Sequence, residues 1–193
     1  MRKNDMLYRM IIAAMLIAIG MVLPRLLGGT EVLGQPISPL HIPALIAGLT
    51  LGGFWGGVVG ASAPMLGHLV MHAPPSFDKA LPMTVECLAY GVISGVAYVL
   101  LRRVLKGKPT IVPLLTAQVT AMFLGRIVGG AGKALLMAAG AIGMDAGFTF
   151  AAFISAYFVS TAVGAVIHLI IVPAVVIALE KARLSPVGRT LGA

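Results

Sequence analysis

Residues 38–69 read SPLHIPALIAGLTLGGFWGGVVGASAPMLGHL. The run is apolar enough to lie in a membrane. At about 1.5 Å per helical residue it is too long for one ordinary crossing of a roughly 30 Å hydrocarbon layer. It divides at GGFWGG, residues 52–57, because glycines in an apolar run let the chain turn. Two helices result, at approximately 40–54 and 56–72, the first of them short. The two far ends of this hairpin return to one outer face, which places His41 and His68 near each other. Pro39 and Pro43 stiffen the entry, and the glycines suit tight packing or sliding against a partner. Trp55, beside the turn, reads as an interfacial anchor.

The rest of the chain has the same character. Of 193 residues, 59% are hydrophobic and 10% are charged, and the mean hydropathy is +1.02. Soluble domains carry roughly 25% charged residues, so a water-facing surface is excluded. The expected fold class is an all-α membrane protein, one compact bundle of six transmembrane helices in a single domain spanning residues 1–193. The other spans fall at approximately 7–27, 83–101, 111–139 and 148–179. The amino-terminal run has a signal-peptide profile but no small-residue cleavage site follows, so it reads as a retained first helix. The polar tail from Glu180 reads as frayed.

The net charge of +8 belongs to topology, and no nucleic-acid partner is expected. Arg2, Lys3 and Arg9 precede or open span one, and Arg102, Arg103, Lys106 and Lys108 follow span four. Lys181, Arg183 and Arg189 follow span six. With six spans these groups share one side, while the opposite loops hold only Lys79, with Arg25 near their edge. The positive-inside rule then puts both termini in the cytoplasm.

Ionisable groups at membrane depth are expensive, so each is a candidate for function. Glu86 and Tyr90 share one face of span four, and Arg126 and Lys133 one face of span five. His41 and His68 come from the opening stretch; His168, in span six, reads as structural. Plain alternatives stand beside these. Glu86 and Arg126 are also suited to a core ion pair, Lys133 and Arg25 to snorkelling, and His41 to capping a short helix.

No catalytic motif is present: HExxH, GxSxG and a complete P-loop are all missing. GGAGK, residues 129–133, lies inside a span and reads as helix packing. The chain is therefore not expected to be an enzyme, and any ATP is bound by a partner. The lone Cys87 excludes disulfide frameworks and CxxC sites. His41, His68 and Glu86 have no recognisable metal spacing, so neither metal nor cofactor is expected. A rival reading is a stand-alone secondary transporter or channel in which Glu86, Arg126 and the histidines relay protons.

Ala14-x-x-x-Ala18 in helix one, SPLHIPALIAGLTLGG, MTVECLAYGVISG and GRIVGGAGKAL together give a pattern. It resembles the substrate-binding S components of energy-coupling factor (ECF) transporters, especially those for vitamins such as pantothenate, folate and riboflavin. The resemblance covers approximately residues 7–181. It implies a subunit of a prokaryotic cell membrane that captures a small vitamin-like molecule from outside. It also implies docking through Ala14 and Ala18 on a transmembrane scaffold with two ABC-type ATPases. The loops at 28–39 and 72–82 would cover an outward pocket lined by His41, His68, Glu86, Tyr90, Arg126 and Lys133. Arg126, Lys133 and Glu86 form a net positive set, which points to an anionic or zwitterionic, pantothenate-like ligand. The single tryptophan gives little support for stacking a flavin.

Overall fold

The computed structural model describes residues 3–27 and 38–190. Among them are helices and turns and no strand. Helix α1 is Lys3–Leu27, α2 is His41–Leu51, α3 is Gly53–Met71, α4 is Phe77–Val104 and α5 is Ile111–Ala138. Then come α6 at Phe150–Ile154, a π-helical turn at Ser155–Val159, α7 at Ala162–Lys181 and α8 at Pro186–Thr190. Five stretches are long and apolar enough to cross a membrane: Asp5–Leu26, Gly53–Met71, Phe77–Val104, Ile111–Ala138 and Phe150–Lys181.

Helix α2 is the exception. Its 11 residues rise about 16 Å, roughly half of a bilayer core. All of them are buried, so α2 is a half-helix enclosed by the others. The break after it is narrower than GGFWGG: Gly52 alone turns the chain, with φ 98° and ψ 166°, and Phe54 and Trp55 already belong to α3. A φ of this sign favours glycine.

Glycine contacts set the register of α2, α3 and α4. A Cβ on Gly56 would stand 2.4 Å from the Gly91 carbonyl oxygen and 2.6 Å from the Gly48 Cα. The three backbones therefore touch at one level, as small residues allow in membrane helices. This register also sets the offset between His41 and His68. With Gly48 opposite Gly56, His41 lies level with about Ala63. His68 is five residues farther along α3, or about 7.5 Å. His41 thus sits inside the bundle and not at an outer helix edge.

Other boundaries move for local reasons. Helix α4 starts at Phe77 and absorbs Pro82, where a loop was expected through residue 82. As far as Thr190 the tail does not fray: Ser185, Pro186, Val187 and Gly188 are buried. Ser185 Oγ donates to the Thr50 carbonyl at 3.2 Å and accepts from the Gly188 N–H at 3.0 Å. Arg9 Nη1 donates to the Leu51 carbonyl, and Tyr8 Oη to that of Leu184 at 2.8 Å. The tail therefore caps α2, whose terminal carbonyls need partners. At this end, the Gly52 end, lie the start of α1 and the basic residues after α4 and α7. The connections holding Pro74 and Asp145 lie at the other.

Candidate functional site

The polar residues of the bundle meet where α2 begins. On α4, Glu86 and Tyr90 are one turn apart and 7% and 1% exposed. Helix α5 leaves room for them by presenting glycine. A Cβ on Gly129 would meet the Glu86 side chain at 2.8 Å, and one on Gly125 the Tyr90 ring at 3.2 Å. The small residues of GRIVGGAGK are thus packing residues, as the sequence suggests. They let two polar side chains occupy a helix interface.

The half-helix brings His41 to the same place. Its ring stacks on Tyr90, with centroids 4.5 Å apart and planes 29° apart. Its Nε2 lies 3.5 Å from Glu86 Oε1. His168 of α7 stands edge-on to His41 at 6.0 Å. Arg126, 7% exposed, approaches the Tyr90 hydroxyl. Its guanidinium lies 5.7 Å from the Phe158 ring centroid. Among the described residues no carboxylate forms an ion pair with it, so the alternative of a Glu86–Arg126 core pair is not the arrangement seen, and the side chain nearest the Glu86 carboxylate on α2 is His41.

Gln118 completes the cluster. It is fully buried, and its Nε2 donates to the His168 carbonyl at 2.7 Å. Tyr90 Oη donates to the Met122 carbonyl at 3.3 Å. Gln118 Oε1 and His41 Nδ1 have no hydrogen-bond partner among the described residues. A buried polar atom without a partner costs about 1–3 kcal/mol, so both atoms call for one.

His41, Glu86, Tyr90 and Arg126 therefore converge, whereas His68 and Lys133 do not join them. His68 Nδ1 lies 2.8 Å from the Pro74 carbonyl, so it braces the turn into α4. Lys133 donates to Asp145 Oδ2 at 2.8 Å and stands 4.3 Å from the Phe148 ring centroid. Its hydrogen bond, then its charge, hold the exposed Asp145 carboxyl below the usual carboxylate range. Lys133 also lines a cavity of about 370 Å³ with Ser76, Asp78, Lys79 and Asp145. Its amine is tied to the connection after α5 because an ammonium seeks the membrane edge.

Sequence reasoning passed over Gln118, although it lies two helical turns before Arg126 on the same face. His168 belongs to the cluster instead of merely packing α7. Phe158 carried no sequence signal. Among the described residues no three His, Cys, Asp or Glu side chains gather as a metal site.

On the outside of the bundle, Ala14 and Ala18 are exposed, as are Ile11, Met15 and Ile19 around them. The opposite side of α1 packs inward through Ala13, Leu16 and Gly20. The connection at 28–37, expected as a cover, lies outside the described residues.

A family model described as "ECF transporter, substrate-specific component" matches residues 8–178, nearly the whole chain. No curated protein and no solved structure matches it. The match runs from helix α1 into α7 and so takes in both the polar cluster and the exposed alanine face. The chain is a multi-pass membrane protein and belongs to the substrate-specific components of ECF transporters.

Proposed function

We propose that this subunit captures a small, water-soluble anionic or zwitterionic micronutrient, pantothenate-like among the vitamins, in the cluster around Arg126. The carrying observation is the unsatisfied chemistry of that cluster. Arg126 has no carboxylate partner among the described residues, and Gln118 Oε1 and His41 Nδ1 have no hydrogen-bond partner there. A guanidinium offers a planar fork for a carboxylate or phosphate. Gln118 Oε1 accepts from a ligand hydroxyl or amide. The buried start of α2 points its positive dipole end into the same space, as half-helices do towards anionic substrate groups in transporters.

Delivery follows from the other face. Ala14 and Ala18 dock on a transmembrane scaffold carrying two ABC-type ATPases, and ATP is hydrolysed there. Small residues on an exposed helix face let a partner backbone approach closely. The setting is a prokaryotic cytoplasmic membrane. The chain crosses six times, counting half-helix α2, with both termini inside. The basic residues at the Gly52 end support this orientation.

The test is mass spectrometry of small molecules released on denaturing the purified subunit. Wild type is expected to release a carboxylate- or phosphate-bearing compound that Arg126→Gln no longer retains. A cationic compound, retained equally by both, would refute the assignment.

A further inference from the structure

The final span is built from two unequal halves. The inner half, α7, buries Gly164, His168, Val172, Val176 and Glu180 against the bundle. The outer half buries nothing: neither α6 nor the π-helical turn has a buried residue, and Phe150 and Val159 are 79% and 67% exposed. Between the halves the helical ladder changes step. Ser160 N donates to the Ser155 carbonyl at 2.9 Å, a five-residue spacing. Thr161 leaves helical geometry, with φ −98° and ψ 7°. The hydroxyls of Ser160 and Thr161 turn back onto the carbonyls of Ala156, at 2.8 Å, and Tyr157, at 2.7 Å. Side chains thus satisfy the interrupted ladder, which lets the two halves bend without stranding backbone groups in lipid.

Little holds the outer half in place. The Phe153 ring fits against Gly130, where a Cβ would come within 2.1 Å of it. Phe158 packs on Phe123 at 5.9 Å and lies over Arg126 at 5.7 Å. Beyond these contacts a cavity of about 440 Å³ separates the segment from α5, lined by Ile127, Gly130, Ala134, Phe150 and Phe153 among others. In a bilayer, lipid tails replace apolar contacts at little cost, so the hydrophobic effect does not press this segment to the bundle. The segment meets two charges of the cluster: Phe158 lies over the Arg126 guanidinium, and Tyr157 is within electrostatic reach of Glu86.

We infer that residues 150–161 form a flap hinged at its inner end, at Ser160 and Thr161 where the helical ladder changes step, and that Phe158 is a stand-in that shields Arg126 until an anionic ligand group displaces it. The inference rests on the reading of Arg126 as ligand anchor and adds the entry route. The ring face supplies the negative potential that the guanidinium lacks at membrane depth. A carboxylate supplies more, so its arrival frees Phe158, and the flap moves out past the cavity. Phe158 is in this sense a positioning residue for Arg126.

The test uses the ligand-free full chain in lipid nanodiscs and hydrogen–deuterium exchange by mass spectrometry. Amides of residues 150–161 are expected to exchange faster than those of residues 164–178, although both lie in the membrane. Phe158→Ala, and Phe158→Leu, which keeps the bulk but has no ring face, are each expected to speed exchange of 150–161 by about 2- to 30-fold. Exchange of 164–178 should stay unchanged in both. Equal protection of the two segments in wild type would overturn the flap. No effect of Phe158→Leu, or a parallel rise in both segments, would overturn the role of Phe158. The readout needs no ligand, so its failure is distinct from retention of a cationic compound, which refutes the Arg126 anchor itself.

Discussion

Gly48→Ala tests whether the glycine contact beneath the polar cluster sets its geometry. A methyl group there would stand 2.1 Å from Ser94 Oγ and 2.3 Å from the Gly91 carbonyl oxygen. Ser94 rotates away; the Gly91 carbonyl is helix backbone, itself packed on Gly56, and does not. Ordinary contact starts at 3.4 Å, so α2 and α4 must part by about 1.1 Å. His41 rides on α2 and Glu86 on α4, so their 3.5 Å approach lengthens beyond contact. Overpacking of this kind costs about 1–3 kcal/mol. For a chain of this size that lowers the melting temperature by about 2–4 °C per kcal/mol. The control is Gly143→Ala, whose Cβ would meet only Asp78 Oδ2, at 3.2 Å, a side-chain tip free to swing. Thermal unfolding in detergent and the amount of co-purifying ligand are measured for both. Gly48→Ala is expected to lose stability and ligand together, and Gly143→Ala neither. A Gly48→Ala protein with wild-type melting and wild-type ligand content would refute the reasoning.

Three further outcomes are expected. Replacing Ala14 and Ala18 by Leu should abolish uptake in cells expressing the scaffold and ATPases while leaving ligand on the purified subunit. Loss of ligand would instead show a folding role for that face. Tyr98→Phe removes the 2.7 Å hydrogen bond to Glu180 Oε1 from a buried carboxyl and should cost about 1–3 kcal/mol in denaturant unfolding. The Lys133–Asp145 contact should persist at mildly acidic pH. The folded-state pKa of Asp145 is lowered, so its contribution is present above the ordinary carboxylate range and is lost only as pH falls through the lower value. Protection factors of residues 139–149, in which the intrinsic pH dependence of exchange is divided out, followed from pH 6 downward read this, and Asp145→Asn should flatten the profile.

Much of the polar cluster was legible because membrane depth makes polarity conspicuous. Glu86, Tyr90 and Arg126 stand out in apolar runs, and helical spacing assigns each to a face. What escaped has specific causes. Gln118 is uncharged, so a search for ionisable groups passes over it. Phe158 matters only because of where the interrupted helix delivers it. His68 and Lys133 are conspicuous for the same reason as Glu86, yet each is held by a connection, through Pro74 and Asp145 respectively. Polarity in a span marks a residue as needing a partner and does not say which partner it has.

The division between the two levels follows from the range of the forces. Hydropathy is summed along the chain, so sequence alone determined an all-helical membrane bundle, a hairpin somewhere in residues 52–57 and the grouping of its basic residues. Depth and register depend on contacts between residues far apart. Whether α2 spans or stops half-way was decided by the meeting of Gly48, Gly56 and Gly91, and by a tail that folds back to hold Thr50. That half-length set His41 beside Glu86 and Tyr90. Only the packed structure could decide it, because a glycine permits close approach without naming the backbone that will approach.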